Sequence, residues 1–167
     1  MFQSVFDLAP AAGIQFCVGL TRFARGAHHR RAFTTAPRMI ISGIVNPQLQ
    51  SLLCRIRHTN SIVLADVGFP SWPGLETVDL SLVRGVPTVL QVLNALRANW
   101  QCGEIFMAQE FVDHNDRRTR AALVKACVGA ELRFEPHVEF KQRVPHAVGL
   151  IRTGDPIQYA NMILVSA

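Results

Sequence analysis

Within residues 39–167 the side chains suited to moving protons at neutral pH are His58, His114, His137 and His146, because only imidazole titrates near pH 7 without special help. None of them stands in an HxH or HExxH spacing and no CxxC accompanies them, so no metal site is expected. There is no Walker loop, and no GxGxxG follows a strand-like run, which leaves no expected nucleotide or other cofactor. His58 is singled out by its place after a helical stretch that starts at Pro47. There the negative end of the helix dipole favours an imidazolium, and that suits a helix cap and a proton donor equally well.

Two further polar groups stand where open α/β sheets hold ligands, at the carboxyl ends of strands. Asp66 closes the run SIVLA (61–65) just before a Gly/Pro-rich turn, and Arg152 closes AVGLI just before Thr153-Gly154-Asp155. A turn that binds its own backbone would account for Asp66, and a surface ion pair for Arg152. Tyr159 and Asn161 are two apart before an apolar run. On an extended chain the phenol and the amide would point to one side, an arrangement that suits a hydroxyl-rich ligand.

The elements that must position these groups alternate between strand and helix. Asn46 and Pro47 supply an N-cap and a first-turn proline, and Leu49, Leu52, Leu53 and Ile56 recur at helical spacing up to about Arg57. Ser61–Ala65 is a short continuous apolar run of the buried-strand kind. Strands are expected over 77–83, 105–108, 132–134, 147–152 and the closing NMILVSA. Helices are expected after Gly85-Val86-Pro87, over 116–127 and near 138–143. The pattern predicts a single α/β domain whose sheet is covered by helices on both faces.

The net charge of +5 sits mainly at one end. Residues 1–38 carry five arginines against Asp7 alone, whereas residues 39–167 carry 12 basic and 11 acidic side chains. A nearly neutral body without a basic face does not fit a nucleic-acid binder. An RNA-associated role would have to rest on the Arg-rich leader. Residues 1–38 are read as a basic extension, disordered or not native, with a mitochondrial transit peptide as the alternative. No apolar run reaches the length of a membrane span. Cys54, Cys102 and Cys127 lie among apolar neighbours and are expected to behave as small core residues rather than a disulfide framework.

Five segments in order, HTN at His58, the strand ending in Asp66, GVPTVLQVL from Gly85, PHVEFK from Pro136 and RTGDPIQYANMIL from Arg152, resemble the sugar mutarotase family of the D-ribose pyranases and L-fucose mutarotases. The resemblance runs from Met39 to the C-terminus. It implies a central mixed sheet with helices on both faces and an isomerase that interconverts ring forms of a free monosaccharide without a cofactor. His58 would be the proton donor, and Asp66, His137, Tyr159, Ala160 and Asn161 would contact the sugar, with His137 either sharing the acid–base work or only binding. GVP at Gly85, the HxxFK context of His137 and YAN favour ribose over fucose. The resemblance further implies cytoplasmic homo-oligomers, pentamers or decamers.

Two departures stand beside the key histidine, Arg57 and Asn60 in place of the family's usual glycine and aspartate, and they motivate a non-catalytic sugar-binding reading as the alternative. If 61–65 is extended, His58 and Asp66 lie ~20 Å apart, too far for one pentose. One pocket would then draw on two protomers.

Overall fold

The structure, a computed structural model, describes residues 43–167, so the expectations for residues 1–38 lie outside it. The Asn46 side chain accepts a hydrogen bond from the Leu49 N–H at 2.9 Å and Pro47 opens helix α1 (Pro47–Arg55), as the N-cap signal predicts. The helix stops short of Arg57. Ile56 turns extended to bury its side chain, and the Arg57 guanidinium donates to the carbonyls of Cys54 and Ile56 at 2.7 and 2.9 Å. Cys54 faces solvent on α1, contrary to its expected core role, whereas Cys102 and Cys127 are buried.

The chain continues through β1 (Ser61–Ala65), β2 (Thr77–Asp79), α2 (Val89–Asn99), β3 (Cys102–Ala108), α3 (Gln109–His114), α4 (Arg117–Ala126), β4 (Glu131–Glu135), α5 (His137–Arg143), a 3-10 turn (Val144–His146), β5 (Gly149–Arg152) and β6 (Met162–Ser166). Strand β2 is shorter than the expected 77–83. The Asp79 carboxylate accepts from the Ser81 N–H, and the chain then folds back so that Leu82 and Val83 bond to Val86. Helix α3 was not expected from the sequence. Helix α2 begins with a reciprocal box in which Thr88 and Gln91 satisfy each other's backbone N–H, and α4 begins on Asp116.

The six strands form one mixed sheet in the order β2-β5-β1-β6-β3-β4. β2, β5 and β1 run parallel, as do β3 and β4, and β6 lies antiparallel between β1 and β3. Successive residues of a strand point to opposite faces. Ile62 and Leu64 of β1 therefore join the core under α1, α2 and α4, while Val63 and Ala65 join the core under α5 and the 3-10 turn. The same alternation sends Met162 and Leu164 of β6 one way and Ile163 the other. Two covered faces explain why residues 62–65 of β1 are all apolar and buried. Among the described residues no helix is long and apolar enough to cross a membrane.

Candidate functional site

This topology brings distant residues to one end of the sheet. The carboxyl ends of the parallel strands β1, β3, β4 and β5 lie there together with the amino end of antiparallel β6. A cavity of about 470 Å³ opens at that end, lined by Asp66 after β1, His137 and Lys141 on α5, Asp155 after β5, and Tyr159 and Asn161 before β6. A volume of that order suits a small-molecule ligand. Phe69 and Arg84, from the loops that follow β1 and β2, complete the wall.

Asp66 and Asn161 are locked together. The Asn161 side-chain amide donates to Asp66 Oδ2 at 2.9 Å, and Asn161 Oδ1 accepts from the Asp66 backbone N–H at 2.8 Å. Asp66 Oδ1 also accepts from the Gly68 N–H at 2.9 Å, so the turn explanation holds, and the same residue lines the cavity. Burial pushes the Asp66 carboxyl above its ordinary pKa, opposed by the Asn161 hydrogen bond. Asp155 is likewise committed, with its oxygens accepting from the Val89 and Ile157 N–H groups.

His137 is the first residue of α5, and its backbone N–H donates to the Glu110 carboxylate at 3.0 Å. Its ring lies parallel to Phe140 at 5.9 Å and edge-on to Tyr159 at 5.1 Å. Burial, and after it the Lys141 ammonium, hold its pKa below the ordinary value of 6.5. Nδ1 is buried and has no hydrogen-bond partner, the one such side-chain atom among the described residues.

The expected extended geometry at Tyr159 is not what places its ring. Tyr159 has φ +58 in a turn, and its ring rests between His137 and His114. Ala160 is fully buried in the larger core and does not line the cavity. Arg152 stays outside the cavity as well. Its guanidinium donates to the carbonyls of Phe69 and Pro70, bracing the lip that carries Phe69, while Asp79 lies 3.8 Å away. Lys141, Asp155 and Arg84 were missed from the sequence. Only Lys141 carried a signal, standing four residues after His137 on the same helical face.

His58 lies elsewhere. It sits exposed in a turn at the amino end of β1, beside the carboxyl end of β6. The five residues of β1, ~16 Å of extended chain, separate its turn from Asp66. The turn is built with care: the Arg57 N–H donates to Asn60 Oδ1 at 2.8 Å, the Asn60 N–H to the Arg57 carbonyl at 2.9 Å, and the Ser166 N–H to the Asn60 carbonyl at 2.8 Å. Thr59 between them has φ +68. Thr59 and Tyr159 are the non-glycine residues with positive φ among those described. For a β-branched residue this conformation is an outlier, and such strain gathers at functional sites.

The chain is 42% identical to the D-ribose pyranase of Chromobacterium violaceum over 124 residues, covering 74% of this chain and 94% of that one. It is 38% identical to the D-ribose pyranase of Geobacillus kaustophilus, covering 75% and 91%. The solved structure of Bacillus subtilis RbsD complexed with D-ribose superposes with a TM-score of 0.71 at 31% identity, covering 77% of this chain and 98% of that one. A fucose mutarotase complexed with L-fucose from Streptococcus pneumoniae shares the fold at a TM-score of 0.63 and 20% identity, covering 74% and 93%. Residues 39–167 match the RbsD / FucU transport protein family, and the chain belongs to that family.

Proposed function

We propose that this protein is an isomerase that interconverts the ring forms of a free monosaccharide, with D-ribose as its substrate. The observation that carries the reading is the meeting of Asp66, His137, Tyr159 and Asn161 around one small cavity. Curated D-ribose pyranases at 32–42% identity supply the reaction type.

The chemistry asks for two proton movements and no cofactor. Opening a pyranose removes a proton from the anomeric hydroxyl and delivers one to the ring oxygen; reclosure by either of two hydroxyls gives pyranose or furanose. Positioned acid–base groups accelerate such steps by about 10² to 10⁴. In this reading Asp66 and Asn161 hold sugar hydroxyls, and Tyr159 offers its ring face and hydroxyl. His58 is the proton donor, and since β1 keeps it away from the cavity of its own chain, it serves the cavity of a neighbouring copy. A closed ring of copies, a pentamer or a pair of pentamers, repeats that junction at every subunit.

The Arg57–Asn60 turn supports catalysis over mere binding. Asn60 Oδ1 accepts the Arg57 N–H, as an aspartate oxygen would, so the amide preserves the loop that presents His58. Saturation-transfer or exchange NMR on ribose, with L-fucose as the comparison sugar and His58→Ala as the control, tests the reading. The protein should speed exchange between ribose forms, and His58→Ala should abolish the effect. Binding without faster exchange would leave a sugar-binding protein, and faster exchange of fucose alone would reassign the substrate.

A further inference from the structure

The proposed reaction needs a base as well as an acid, and the carboxylates around the cavity are already engaged. Asp66 accepts from Gly68 and Asn161, Asp155 from Val89 and Ile157, and Glu110 from the His137 backbone N–H. His137 is different. Its imidazole lines the cavity, wedged between the Phe140 face and the Tyr159 edge, with no carboxylate bonded to Nδ1. In many catalytic histidines a partner on the second nitrogen stabilises the imidazolium. Its absence here leaves a neutral ring with Nε2 available to a ligand.

We infer that His137 is the general base of the ring-opening step, taking the anomeric proton directly from the sugar while His58 of a neighbouring copy protonates the ring oxygen. The inference rests on the proposed isomerase reading and adds the second half of its acid–base pair. The step balances without a co-reactant. The O1–H proton goes to His137, the O1 electron pair forms the carbonyl, the C1–ring oxygen bond breaks, and the ring oxygen takes the proton held by His58. Closure runs in reverse: a chain hydroxyl attacks C1 and gives its proton to His58, and the carbonyl oxygen recovers the proton held by His137. Both histidines end as they began, with the sugar in a new ring size or anomeric form.

The groups that face His137 set its pH behaviour. Lys141 lies one turn along α5, Glu110 caps the helix from α3, Asp66 and Asp155 come from the ends of β1 and β5, and Arg84 comes from the loop after β2. Tyr159 lies against the ring with His114 behind it. Burial and Lys141 outweigh the acidic neighbours. Exchange by the parent should therefore stay high down to pH 6.5 and fall only as His137 protonates below that value.

The test uses the full chain in its native assembly, with His137→Gln and His137→Asn made in parallel and their folding checked by urea midpoint. Each keeps a hydrogen-bonding group that does not titrate. With ribose as the probe, kcat for exchange should drop about 10²-fold or more while KM changes by no more than about threefold, and the acid limb of the pH profile should vanish. A rise in KM with kcat and the acid limb retained would make His137 a binding residue only and overturn the inference. If the parent itself fails to speed exchange, the isomerase reading is what fails, and the inference goes with it.

Discussion

Thr59 shows how one residue's conformation serves the proposed donor. A β-branched side chain at φ +68 is held there by bonds on both sides, to Arg57 through Asn60 and to Ser166 through the neighbouring strand. Left-handed strain of this kind costs on the order of 1–3 kcal/mol, and glycine removes it. Thr59→Gly is expected to leave urea stability unchanged or raised by about 1 kcal/mol while slowing ribose exchange, because the turn presenting His58 loses its fixed direction. Equal or faster exchange in that variant would show that the strain has no part in presenting His58. His58 and Asp66 were readable as residue types at strand ends. The role of Asn60 was not, because a turn acceptor and an unexplained substitution look alike until the Arg57 N–H is seen to point at it.

At the scale of elements, the cavity depends on how tightly the segment after β5 packs on the loop after β2. The Gly154 N–H donates to the Pro87 carbonyl at 2.9 Å, and its own carbonyl accepts from Gly85 at 2.6 Å. A methyl group at Gly154 would lie 2.4 Å from the Val83 carbonyl oxygen and 2.5 Å from that of Val86, both backbone atoms with no side-chain freedom. Gly154→Ala should therefore destabilise the fold by about 1–3 kcal/mol and displace the loop that carries Arg84, weakening ribose binding as well. Urea unfolding and an NMR titration with ribose measure the two effects; a variant with parental values in both would mean the loop yields freely. The helices around these loops were legible where caps and period agreed, as at Asn46-Pro47. Six-residue α3 was not, because Phe111 is its one fully buried side chain and so short a segment shows no period.

At the scale of the whole molecule, β1 keeps His58 and Asp66 at opposite ends of the sheet, so a shared pocket requires more than one copy. Mixing His58→Ala with Asp66→Ala protein under conditions that allow subunit exchange should restore ribose exchange. Random assembly places an intact His58 against an intact Asp66 at about one junction in four, so recovery should approach a quarter of the parental rate. No recovery despite demonstrated subunit exchange would remove the shared site. The sequence by itself determined the residue types, the strand and helix alternation, the two-faced burial of SIVLA and the family, because period, caps and local motifs are written in neighbouring residues. Only the tertiary structure decided that β6 runs antiparallel between β1 and β3. That reversal carries Tyr159 and Asn161 to the carboxyl ends of the parallel strands, where Asp66 and His137 already stand, and it leaves His58 at the other end. Strand direction is set by pairing between segments as much as a hundred residues apart, and no local pattern encodes it.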